Sequence, residues 1–114
     1  MKTLDQIGLN EKDRRAVEAA ARILRERFPV ERVVLFGSKA RGDDDPESDI
    51  DLLVLTSRPM SWQERDEITH ALFELGLDME VMFSTVVVDV QEWNEGLYQV
   101  MPIRAEIDRD GVPA

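Results

Sequence analysis

The sequence predicts an α+β fold: a small mixed β-sheet of three or more strands with helices packed on one side. Three observations carry this reading. Hydrophobic periodicity switches between the helical and the extended pattern in the order α-β-β-α-β-α. The first two extended stretches are joined by a loop without a full crossover helix, so they should pair antiparallel, unlike the strands of a Rossmann fold. A chain of 114 residues, 43% apolar and 33% charged, has the size and composition of one soluble globular domain, here taken as 1–114.

Each element follows from local chemistry. Residues 11–28 form an amphipathic helix: Asn10 is a good N-cap, and Val17, Ala20, Ala21, Leu24 and Phe28 fall on one face before Pro29 stops it. Glu31–Phe36 is a β-branched run that reads as a buried strand closed by Gly37, and Ile50–Leu55 is a second strand. Ser61 and Glu64 make a capping box for a helix to Leu75, with Ile68, Leu72 and Leu75 as its apolar stripe and Gly76 as its stop. Leu77–Val88 reads as a long third strand. Asp89 and Glu92 open a helical tail through Trp93, Leu97, Val100, Ile103 and Ile107, which Pro102 should kink or split and Gly111 should end.

Charge and composition exclude several classes of function. The net charge of −10 repels a phosphate backbone, which argues against direct nucleic-acid binding and favours a basic protein partner. No apolar run approaches the roughly 20 residues of a membrane span, and MKTLDQIGLNEKD lacks a signal-peptide core, so a cytoplasmic address and no membrane association are expected. Without cysteine there is no disulfide and no thiolate metal site.

The chemistry concentrates in GSKARGDDDPESDID, residues 37–51, where a turn suited to anions stands beside a cluster of anions. Gly37 after a buried strand lets backbone approach a ligand closely, and Ser38 at the start of a short helix offers N–H groups and a hydroxyl. Lys39 and Arg41 could add positive charge, Arg41 bidentately. Asp49 and Asp51 lie at i and i+2, so on a strand they leave the same face, with Ile50, Leu52 and Val54 on the other. Two carboxylates this close raise each other's pKa, and a hard divalent cation such as Mg²⁺ converts the repulsion into coordination. Asp43, Asp44, Asp45 and Glu47 surround Pro46 and read as a solvated loop.

Gly37-Ser38, ten intervening residues, then Asp49-x-Asp51 between apolar strands resembles the signature of the nucleotidyltransferase superfamily related to DNA polymerase beta. The fuller string GSKARG…SDIDLLV looks like its minimal nucleotidyltransferase (MNT) subfamily, over most of the chain. The resemblance implies that Gly37 and Ser38 hold a triphosphate, that Arg41 assists, and that Asp49 and Asp51 bind Mg²⁺, commonly two ions. Two metals roughly 3.5–4 Å apart suit in-line displacement at phosphorus. Here that means attack at the α-phosphate of ATP, loss of pyrophosphate and attachment of AMP to an acceptor.

The resemblance also implies a third carboxylate on a later strand. On Leu77–Val88, positions 78, 80 and 82 share a face, occupied by Asp78, Glu80 and Met82. Glu80 is taken as the third acid and metal ligand because it lies deeper than Asp78. A solvent-facing Glu on a half-exposed strand fits equally well, and the family usually has Asp there. His70 reads as an exposed residue off the apolar stripe, and Trp62 and Trp93 as packing anchors.

Chains of the MNT type are commonly antitoxins paired with a HEPN-domain toxin, a ribonuclease that they inactivate by adenylylating a tyrosine hydroxyl. The resemblance therefore implies an AMP transferase acting on a HEPN partner. The competing reading is a catalytically degenerate module that neutralises its partner by complex formation. Nucleotide preference and homo-oligomerisation are left open by the sequence.

Overall fold

The computed structural model describes residues 2–43 and 47–114. Helix α1 (Glu11–Arg27) starts where the side chain of Asn10 accepts the Asp13 N–H at 2.8 Å, as the N-cap pattern requires. Its apolar face, Ala16, Val17, Ala20, Ala21 and Leu24, is at most 3% exposed. Strand β1 (Val30–Phe36) follows, then the five-residue helix α2 (Gly37–Arg41) and strand β2 (Ile50–Thr56). Helix α3 (Trp62–Met79) leads to strand β3 (Phe83–Asp89), and the tail forms α4 (Val90–Glu95), a 3-10 turn at Leu97–Val100, α5 (Pro102–Asp110) and strand β4 (Val112–Pro113).

The sheet order is β3-β2-β1-β4. β1 and β2 pair antiparallel, as the short connection between them demands, and β2 and β3 pair parallel with α3 as their crossover. The sheet is therefore mixed. The two long helices α1 and α3 pack over one face on Val33, Leu35, Leu52 and Val54. The opposite face is covered in part by α4 and α5, where Trp93 and Ile107 meet Val34, Phe36, Leu53 and Leu55. Helices thus stand on both sides of the sheet, not on one.

Two local expectations change. Helix α3 does not stop at Gly76: it runs to Met79 and is closed by Glu80 in the left-handed conformation (φ 60°), whose N–H bonds the Gly76 carbonyl. Leu75 and Met79, one turn apart, both pack against the core, so the helical stripe simply continues. Gly76 is needed for packing, because a Cβ there would lie 2.5 Å from the Val81 carbonyl oxygen. The third strand accordingly begins at Phe83, not Leu77. In the tail, Pro102 occupies the first turn of α5, where its missing N–H costs nothing, and so splits the tail as its chemistry predicts.

Candidate active site

The register of β1 on β2 sets Phe36 opposite Asp51, so the turn that follows Phe36 folds directly over that carboxylate. Gly37 has φ 76°, and a Cβ built on it would collide with Asp51 Oδ2 and lie 3.1 Å from the Asp51 carboxyl carbon. Only a residue without a side chain lets these two parts of the motif touch. Asp49 is exposed immediately before β2, while Ile50 between the two acids is fully buried in the α1/α3 core. Burial, then the charge of Asp49, then that of Glu106 push the Asp51 carboxyl above its ordinary range; Arg41 and Lys39 act in the opposite sense.

α2 starts at this contact, and its N-cap residue, Phe36, provides no side-chain cap. Its first N–H groups have no acceptor within the helix, which begins at Gly37 against Asp51 and continues with the half-buried Ser38. The Ser38 carbonyl accepts the N–H groups of Gly42 and Asp43 at 2.9 and 3.1 Å, which closes the turn. Such a donor set fits a divalent cation shared with a phosphate. Mg²⁺ is usually held by one or two carboxylates, with phosphate and water oxygens completing the shell. Among the described residues no three acidic, histidine or cysteine side chains come close enough to hold a metal by themselves.

The nucleotidyltransferase domain model matches residues 17–106, which include part of α1, the strand-turn-strand motif, α3, β3 and part of α5. The chain belongs to the nucleotidyltransferase domain family. A candidate protein adenylyltransferase of Methanocaldococcus jannaschii is 36% identical over 58 residues, 51% of this chain and 59% of that protein. The match thus spans little more than half the length of that relative. A solved candidate minimal nucleotidyltransferase superposes with TM-score 0.64 at 26% identity, over 91% of this chain and 94% of that one. A complex of a tri-AMPylated Shewanella oneidensis HEPN toxin with an MNT antitoxin has a chain of the same fold: TM-score 0.53, 19% identity, 86% of this chain and 67% of that one.

Within this nucleotidyltransferase domain the remaining motif residues separate. Lys39 is 1% exposed, and its Nζ donates to Asp13 Oδ2 of α1 at 2.7 Å. Two residues of helical rotation, about 200°, separate the buried Lys39 from the exposed Arg41. Arg41 is exposed and bonds Asp43 at 3.3 Å and Glu106 of α5 at 3.0 Å. Asp44, Asp45 and Pro46 of the acidic loop lie outside the described residues, and Asp43 and Glu47 on either side of them are exposed.

Glu80 is not on a strand, so it cannot present its carboxylate beside Asp51 in the way expected. It closes α3, its carbonyl accepts Lys12 Nζ at 3.1 Å, and it lines a 440 Å³ cavity with Lys12, Asp13, Ser48 and Met82. Asp78 is an exposed residue of α3. The parallel register instead puts Ser84 next to Asp51. Glu106, which the motif does not contain, is the further acid whose charge is felt at Asp51. No local pattern announces it, because its place depends on how the tail packs back on the sheet.

Proposed function

We propose that this protein is a Mg²⁺-dependent nucleotidyltransferase that moves AMP from ATP to a hydroxyl, that of a tyrosine, on a HEPN-domain partner. The observation that carries the reading is the contact of Gly37 with the Asp51 carboxylate, since it joins an anion-binding turn to a cation-binding pair. Gly37 and Ser38 bind the triphosphate through backbone N–H groups and a hydroxyl, and Asp49 and Asp51 hold Mg²⁺. The bound metal would supply charge neutralisation at the phosphates. The acceptor oxygen bonds to the α-phosphorus as the bond to the pyrophosphate oxygen breaks, pyrophosphate leaving with the electron pair and the acceptor proton passing to a base. The AMPylated HEPN toxin found with a chain of this fold supports the choice of acceptor.

The test is to mix the protein with a HEPN-domain partner, ATP and Mg²⁺ and to weigh the partner by intact-mass spectrometry. A gain of AMP that disappears in Asp51→Asn is the expected result. An unchanged mass beside a stable complex would establish the second reading, a binding module without catalysis. That reading is favoured by one observation: Ser84, not an acid, stands beside Asp51 on β3.

A further inference from the structure

We propose that Glu106, on α5, is the carboxylate that takes the proton from the acceptor hydroxyl, and that Arg41 holds it until nucleotide binds. The inference rests on the transferase reading and names its missing base. The strand where the family places its third acid has none near the motif. Ser84 is level with Asp51, and the carboxylate that β3 does carry, Asp89, is at the far end, where it caps α4. Five residues of strand separate the two, about 16 Å.

Helix α5 packs on the sheet face to which Asp51 belongs: its Ile107 contacts the cluster of Val34, Phe36, Leu53 and Leu55. Glu106, the adjacent residue, reaches across to α2, where its Oε1 accepts Arg41 Nη1 at 3.0 Å. α2 begins at Gly37, against the Asp51 carboxyl, and ends at Arg41, roughly 6 Å along the helix axis. Glu106 therefore borders the motif and is still 36% exposed, open to an acceptor. The sensitivity of Asp51 to its charge agrees with this placement.

The Arg41–Glu106 pair is partly open to solvent, each side chain 36% exposed, and pairs near the surface are weak. A triphosphate offers Arg41 a bidentate, more highly charged partner. Nucleotide arrival then draws Arg41 toward the phosphates and releases the Glu106 side chain from that pair. In the transfer step the acceptor O–H proton goes to Glu106, the oxygen bonds to the α-phosphorus, and pyrophosphate departs with the electrons of the broken bond.

Glu106→Gln tests this with two readouts, single-turnover AMP transfer to the HEPN-domain partner and affinity for an α,β-methylene ATP analogue with Mg²⁺. Transfer should fall by about 10²-fold or more, in the range of a lost general base. Affinity for the analogue should hold or improve, up to about fivefold, because Arg41 is released. Adding Ser84→Asp to Glu106→Gln should restore transfer at least partly by returning a carboxylate to β3. Equal transfer by Glu106→Gln and wild type would overturn the assignment alone. Loss of transfer in parallel with nucleotide affinity would also overturn it, since Glu106 would then only prop Arg41. A wild-type protein that binds the analogue and transfers nothing would sink the transferase reading, and the role of Glu106 with it.

Discussion

A methyl group at position 37 would need the space of an Asp51 carboxylate oxygen, on a backbone turned to φ 76°. The left-handed conformation alone costs a residue with a Cβ roughly 1–2 kcal/mol. Gly37→Ala should therefore lower Tm, and part of that loss should vanish in the background of Asp51→Gly, where the colliding group is gone. A double-mutant cycle reads the coupling, and additive effects would show that the two residues do not touch. Asp51 carries a second signature. Its carboxyl sits above the ordinary range, so between the usual aspartate value and the raised one the folded chain holds a proton that the unfolded chain releases. The ionised form penalises folding at neutral pH, and the penalty fades as pH falls through the raised value toward the usual aspartate range. Asp51→Asn should melt higher than wild type at pH 7, with the gap closing toward acid. A lower Tm for Asp51→Asn at neutral pH would contradict the sign. The facing of Asp51 on β2 was legible, because two-residue alternation sets it opposite Ile50 and Leu52, which sit in the α1/α3 core. Lys39 was not, since its orientation depends on a helix of five residues whose rotation the motif does not state.

The elements themselves were legible where a side chain writes their boundary. Asn10, Ser61 and Asp89 each cap the helix they precede, and Pro102 starts α5. Boundaries made by packing were not. The end of α3 is a left-handed glutamate, a conformation that sequence does not advertise, and the two-residue β4 exists only because β1 offers Val34 and Leu35 as partners. The tie between α1 and α2 belongs to this hidden class. Lys39 and Asp13 are 1% and 3% exposed at their side chains and pair at 2.7 Å, an ion pair removed from water. Breaking one side of such a pair typically costs about 3–5 kcal/mol, because the survivor is left charged and buried. Lys39→Met should thus destabilise the protein by that order in denaturant unfolding. The double variant Lys39→Met/Asp13→Leu should recover most of the loss and keep nucleotide affinity within several-fold. A double variant that is stable yet binds no nucleotide would restore Lys39 to the phosphate site.

At the scale of the whole molecule, a charge of −10 is packed into a body with a radius of gyration of 13.4 Å, close to the value for a compact chain of this length. ATP is itself strongly anionic, and in the proposed reaction its phosphates would have to approach Asp49 and Asp51. Distant surface carboxylates are screened beyond about 8 Å at physiological salt, so the two motif acids dominate what the nucleotide meets. Metal-free ATP should therefore bind poorly, and adding salt should leave its affinity unchanged or raise it, because salt screens repulsion. A phosphate site built from lysines and arginines shows the opposite slope. With Mg²⁺ the repulsion should turn into coordination, and affinity should rise by about tenfold or more, since each such factor needs only ~1.4 kcal/mol. Titration of ATP calorimetrically with EDTA and with Mg²⁺, each at two salt concentrations, separates these cases. Tight metal-free binding that weakens as salt is added would mean that cationic side chains, not a shared cation, hold the phosphates.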